Sequence, residues 1–228
     1  MKVFIGYDRR EDAAYSVAAK SLRKFSGDVD ITPLVSERLA ASGLLRRPVD
    51  LRGGTYDIVS NAPCATEFAI SRFLTPMLAQ TGWALFVDCD VVFLADIKEL
   101  SQHFDENKAV MVVKHPQLDG GGTKMDGVPQ ERYARKNWSS VILWNCDHPA
   151  NLRLTLSDVN ERPGRDLHRF YWLADSEIGE LPDEWNWLVN VRTKPMSPKI
   201  AHFTMGGPWF GGWDGAEHDD LWLEAASW

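Results

Sequence analysis

Two carboxylates stand two residues apart in the apolar run Leu85-Phe86-Val87-Asp88-Cys89-Asp90-Val91-Val92-Phe93. If the run is a strand, residues i and i+2 point to one side, so Asp88 and Asp90 share a face. Burying two like charges together is costly unless a counter-charge neutralises them. Mg²⁺ and Mn²⁺ do this, because they take oxygen ligands and share them between carboxylates and substrate phosphates. The carboxyl end of a strand is also where open α/β sheets bind ligands. A nucleoside diphosphate bridged by a cation meets these conditions. So does a bland arrangement, in which one aspartate caps the next turn and the other is solvated. His202, at the end of the short apolar segment Ile200-Ala201, is a candidate third ligand. A neutral imidazole beside two carboxylates suits Mn²⁺, although a lone histidine there also fits a structural role.

The elements that must carry these residues follow from the apolar pattern. Val3 to Gly6 reads as a short strand, and Glu11 to Phe25 as a helix with Ala14, Val17, Ala18 and Leu22 on one stripe. Val29 to Val35 reads as a second strand, followed by a long connection over Ser36 to Gly54. Cys64 to Leu78 predicts a second helix, with Pro76 bending its last turn. Trp83–Val87, Ala109–Val113 and Val141–Trp144 are continuous apolar runs of the kind found in strands covered on both faces. Strands alternating with helices predict an α/β layer fold. Lys114 to Asn137, with Gly120-Gly121-Gly122, reads as a mobile loop.

The 228 residues suit one domain, residues 1–228. Nine of its ten tryptophans lie at Trp138 or later. That asymmetry suggests a nucleotide-sugar half over 1–113 and a tryptophan-rich acceptor half over 114–228. The net charge of −7 argues against nucleic acid as a partner. Three scattered cysteines, Cys64, Cys89 and Cys146, offer no disulfide framework, so a reduced, cytoplasmic protein is the simplest expectation. The strongest hydrophobic stretch is too short and too charged for a membrane span, which leaves room for peripheral membrane contact.

Six segments taken in order resemble glycosyltransferase family 8, whose members adopt the GT-A fold. They are Phe4-Ile5-Gly6-Tyr7-Asp8; Ser71-Arg72-Phe73-Leu74 with Pro76; Asp88-Cys89-Asp90; Asn137 to Asn145; Ala174-Asp175-Ser176-Glu177-Ile178 with Leu181-Pro182 and Trp185-Asn186; and His202 to Trp209. The resemblance implies a mixed, mostly parallel sheet flanked by helices. It also implies a retaining transferase that moves a sugar from a nucleotide-diphosphate donor, commonly a UDP-sugar, to a carbohydrate or glycolipid hydroxyl with Mn²⁺ or Mg²⁺. It gives Asp88, Asp90 and His202 as metal ligands, and Tyr7, Asp8, Asn137, Gly206 and Trp209 as donor contacts. Asp175, Ser176 and Arg72 become the residues nearest the chemistry, with Glu177 a weaker acceptor-side candidate. Arg72 would orient Asp88 or a phosphate through its planar fork, or else snorkel to solvent.

Two departures stand out. Gly207 stands before Pro208 where the family has a lysine that grips the diphosphate; Lys114, Lys124 and Arg135 are candidate substitutes. Ser176 stands where a glutamine often lies beneath the donor sugar. Of Trp138, Trp144, Trp185, Trp187, Trp209 and Trp213, most are expected in the core, with Trp209 the first candidate for substrate contact. Haloacid-dehalogenase-type phosphotransferases also carry Asp-x-Asp after a strand, but there the pair opens the fold. A sugar nucleotidyltransferase would need a Gly-rich basic signature after the first strand, where this chain has Gly6-Tyr7-Asp8-Arg9-Arg10. A non-catalytic nucleotide- or sugar-binding module of the same fold is the remaining alternative.

Overall fold

The computed structural model describes residues 1–50, 55–116, 135 and 137–228. In chain order its elements are β1 (Lys2–Gly6), α1 (Asp12–Ser26), β2 (Ile31–Leu34), α2 (Ser36–Ala41), β3 (Val49–Asp50), β4 (Tyr56–Asp57) and β5 (Ala62–Pro63). They continue with α3 (Thr75–Ala79), β6 (Trp83–Val87), β7 (Val91–Phe93), β8 (Val110–Val112) and β9 (Val141–Asn145). The chain closes with α4 (Leu156–Glu161), α5 (Gly164–His168), β10 (Ile178–Glu180), β11 (Trp187–Leu188), β12 (Ile200–His202) and α6 (Asp219–Ser227).

Six strands form the main sheet in the order β10-β8-β9-β6-β1-β2. Every pairing is parallel except the two made by β9, which runs antiparallel between β8 and β6. The apolar runs at β6, β8 and β9 are buried throughout apart from Trp83 at the start of β6. β9 and β10 come from the tryptophan-rich half, so that half shares the main sheet with β1, β2, β6 and β8.

The register sets where the site lies. Val112 and Phe86 both pair with Ile142, and Val87 pairs with Val141 and Ile5. The carboxyl ends of β1, β6 and β8 therefore stop nearly level. The chain leaves that edge at Tyr7-Asp8, at Asp88 and just before His115. A smaller sheet, β11-β12-β7, carries His202 back to the same edge, because His202 pairs with Val91 immediately after the aspartate pair. Behind it a second core gathers Val17, Val92, Trp187, Phe203 and Trp222.

The predicted first helix is present, preceded by a 3-10 turn at Arg9–Glu11. The expected helix over Cys64 to Leu78 is instead a 3-10 turn at Ser71–Leu74 followed by the short α3. Pro76 lies in the first turn of α3 and starts that helix, a place where its missing N–H costs nothing. The connection over Ser36 to Gly54 contains α2 and β3. The glycine run Gly120-Gly121-Gly122 lies outside the described residues.

Candidate metal and donor site

Asp88 and Asp90 lie in the connection between β6 and β7, not within a strand, yet both reach one point with His202. One ligand atom from each of the three residues falls within 4.8 Å of the others. His202 Nε2 is 3.2 Å from Asp90 Oδ1 and 4.0 Å from Asp88 Oδ2. The backbone holds the three together: Phe203 N–H donates to the Asp90 carbonyl at 2.8 Å, and Asp88 N–H donates to the Ser140 carbonyl at 2.9 Å. His202 is 2% exposed, so its imidazole is committed to this cluster and not to solvent. Two carboxylates and an imidazole nitrogen form a donor set that fits Mn²⁺ or Mg²⁺, with room left for phosphate oxygens.

Arg72 stands on the inner side of the cluster. It is 5% exposed, its Nη1 lies 2.8 Å from Asp88 Oδ1, and the same nitrogen donates to the Ser139 carbonyl at 2.7 Å. Its guanidinium also packs against the rings of Phe68 and Phe86. The arginine therefore faces inward and pins one Asp88 oxygen, leaving the other towards His202.

Tyr7 and Asp8 sit at the same edge, but the Asp8 carboxylate is occupied. It is fully buried and accepts hydrogen bonds from Arg10 N, Nε and Nη2 and from Glu67 N. Burial alone would raise its pKa; the hydrogen bonds from Arg10 and Glu67 outweigh that and hold it below the usual value. Asp8 thus caps the turn at Arg9–Glu11. Tyr7 donates its hydroxyl to Asp12 at 2.8 Å and stacks edge-on with Tyr15. Asn137 takes a left-handed conformation, φ 66°, at the turn before β9.

Asp175 and Ser176 are not brought to this group. They precede β10, whose Ile178 pairs with Val110 at the start of β8, so they lie at the amino end of strands parallel to β6. The contacts agree with that placement: Lys108 Nζ donates to the Ser176 carbonyl at 2.8 Å, and Ala109 N–H donates to the Glu177 carbonyl at 2.8 Å. Asp175 pairs with Arg135, and its side chain is 91% exposed. Glu177 pairs with Arg153. The letters resemble the motif, but the segment leads directly into β10 at the amino end of the parallel strands.

Gly206 has φ 107°, and Gly207 is buried beneath Trp209. A Cβ on Gly207 would come within 2.2 Å of the Trp209 ring, so this backbone has no space for the lysine of the resembled motif. The Trp209 ring packs against Phe203, Phe210 and Trp222, which makes it chiefly part of the second core. Of the candidate substitutes, Arg135 is engaged with Asp175 and the Arg169 carbonyl. Lys114 lies over the Trp138 ring, and Lys124 falls outside the described residues.

Two residues escaped the sequence reading. His115, just beyond β8, is 6% exposed, and its Nε2 is buried without a hydrogen-bond partner. Burial first, then the neighbouring charges of His202 and Arg192, lower its pKa to about 4. Arg192 Nη2 donates to the Pro116 carbonyl at 2.8 Å, while its buried Nε has no partner. No spacing in the sequence joins His115, Arg192 and His202, because three separate segments, after β8, after β11 and at the end of β12, bring them together.

The chain is 46% identical to Protein CDI of Arabidopsis thaliana, a match covering 97% of this chain and 84% of that protein. The chain belongs to the Protein CDI family. No family model matches the chain. The fold of this CDI relative is GT-A-like, as solved structures show. The glycosyltransferase GlyE of Streptococcus pneumoniae superposes with a TM-score of 0.62 at 14% identity, over 99% of this chain and 59% of GlyE. The bifunctional glycosyltransferase WbbM gives 0.58 at 15%, over 100% of this chain and 49% of WbbM. The galactosyltransferase LgtC, solved with donor and acceptor sugar analogues, gives 0.56 at 15%, over 100% of this chain and 95% of LgtC. The CDI-family chain thus spans about half of WbbM and 59% of GlyE, and nearly all of LgtC.

Proposed function

We propose that this CDI-family chain is a glycosyltransferase similar to family 8. It would transfer a sugar, with retention, from a nucleoside-diphosphate donor such as a UDP-sugar to a hydroxyl of a carbohydrate or glycolipid. The observation that carries this reading is the convergence of Asp88, Asp90 and His202 at the carboxyl edge of a GT-A-like sheet. Asp88, Asp90 and His202 would hold Mn²⁺ or Mg²⁺, which would neutralise the leaving diphosphate.

The chain's own residues set the rest. Arg72 fixes the orientation of Asp88. Tyr7, at the end of β1, and Asn137, before β9, border the same edge and are the proposed nucleotide and sugar contacts. Arg192 and His115, with buried nitrogens left unpaired, supply N–H donors for diphosphate oxygens in place of the absent lysine. With Asp175 and Ser176 at the other end of the strands, no strong protein base is proposed. The departing phosphate takes the acceptor proton. Three free cysteines fit a reducing, cytoplasmic setting, which forms part of the same proposal. Among the described residues no helix is long and apolar enough to cross a membrane.

The binding-only alternative keeps one supporting observation, the occupied space at Gly207. Hydrolysis of a panel of nucleotide sugars with and without Mn²⁺ separates the two. Mn²⁺-dependent release of nucleoside diphosphate from at least one donor is expected, and abolished in Asp90→Asn. No turnover of any donor, with nucleotide affinity unchanged in Asp90→Asn, would overturn the transferase and its metal site together.

A further inference from the structure

His202 meets the aspartate pair through Nε2, and its second ring nitrogen is also engaged. Nδ1 lies 2.9 Å from Asn186 Oδ1, and Asn186 is fully buried. The amide continues inward, with Asn186 Nδ2 donating to Ser140 Oγ at 2.9 Å. Ser140 Oγ in turn donates to the Asn137 carbonyl at 2.9 Å.

The direction of this chain follows from the carbonyl at its end. A backbone carbonyl only accepts, so the Ser140 proton is spent on Asn137 and the Ser140 oxygen must accept. Asn186 then has to turn its NH₂ to Ser140 and its oxygen to His202. An amide oxygen also only accepts, so the proton on the imidazole belongs on Nδ1. Nε2 is the nitrogen left facing Asp88 and Asp90. Ser140 is doubly placed, because its own carbonyl accepts the Asp88 N–H.

We infer that Asn186 is a positioning residue: it locks His202 with the proton on Nδ1 and Nε2 aimed at the aspartate pair, and it is itself oriented by Ser140. The role of this lock in cation binding rests on the metal site proposed above; the lock itself does not. One turn, Asn137–Ser140, thereby positions Asp88 through the backbone and His202 through side chains. Outer partners of metal-bound histidines typically change metal affinity 10–100-fold.

The test is nitrogen-15 NMR of the histidine rings in chelator, with His202 assigned by comparison with His202→Gln, followed by Mn²⁺ titration. In the unaltered protein, Nδ1 of His202 should carry a slowly exchanging proton. Asn186→Asp, which keeps an acceptor, should retain it. Asn186→Leu should lose it and bind Mn²⁺ about 10–100-fold more weakly. An unprotonated Nδ1 in the unaltered protein overturns the inference without need of any variant. So does a folded Asn186→Leu that binds Mn²⁺ like the unaltered protein while Asp90→Asn does not. If the unaltered protein binds no Mn²⁺ yet shows the protected Nδ1 proton, the lock stands and the metal reading falls.

Discussion

His115 shows how a single residue can record its surroundings. Its imidazole stays neutral in the folded chain down to about pH 4, because burial and the charges of His202 and Arg192 oppose a proton there. In the unfolded chain it protonates near 6.5. Between those values the unfolded state binds more protons, so stability falls as pH drops from about 6.5 to 4. The loss amounts to roughly 3 kcal/mol at the acid end. Urea unfolding in chelator should show that slope, and His115→Gln should flatten it. Parallel profiles for the two proteins would contradict the account of this residue. Asp88, Asp90, His202 and Arg72 were legible in sequence because each stands out by type within an apolar stretch. His115 and Arg192 were not, since nothing local marks a histidine whose neighbours come from distant segments of the chain. Asp8 was legible as important but not in role: its carboxylate is taken up by Arg10 and Glu67.

At the scale of elements, apolar runs announced β6, β8 and β9, because strands covered on both faces leave no polar positions. Short polar elements such as α2 and the β3-β4-β5 sheet left no such trace. The Asp175 segment was misplaced for a related reason. Its letters match a motif, but a strand begins directly after it, and strand direction decides which edge it occupies. The turn after β12 makes its own prediction. Gly207→Ala would force the Trp209 ring off Phe203 and Trp222. Overpacking of this kind costs about 1–3 kcal/mol. Thermal denaturation should show a lower Tm for Gly207→Ala, partly recovered in Gly207→Ala/Trp209→Leu. An unchanged Tm in the single variant would show that the ring has room to move, and the lysine's absence would need another explanation.

Over the whole molecule, two sheets converge on one edge. The main sheet delivers Asp88 and Asp90 from β6, and the small sheet returns His202 beside Val91. The α/β class was legible from the alternation of runs and a mixed sheet from the resemblance, but that β9 is the strand running antiparallel, between β8 and β6, was not, because periodicity carries no direction. Strands from both halves of the chain, β9 and β10 with β1, β2, β6 and β8, make up the one main sheet. The whole chain superposes on 49% of WbbM and on 95% of LgtC, so what it shares with them is the fold. The central claim is that this edge holds a divalent cation on Asp88, Asp90 and His202. Calorimetric titration of Mn²⁺ into the chelator-stripped protein tests it most directly. Saturable binding of one ion, lost in both Asp90→Asn and His202→Gln while the fold is retained, is the predicted result; no saturable binding, or binding unchanged in both variants, would contradict it.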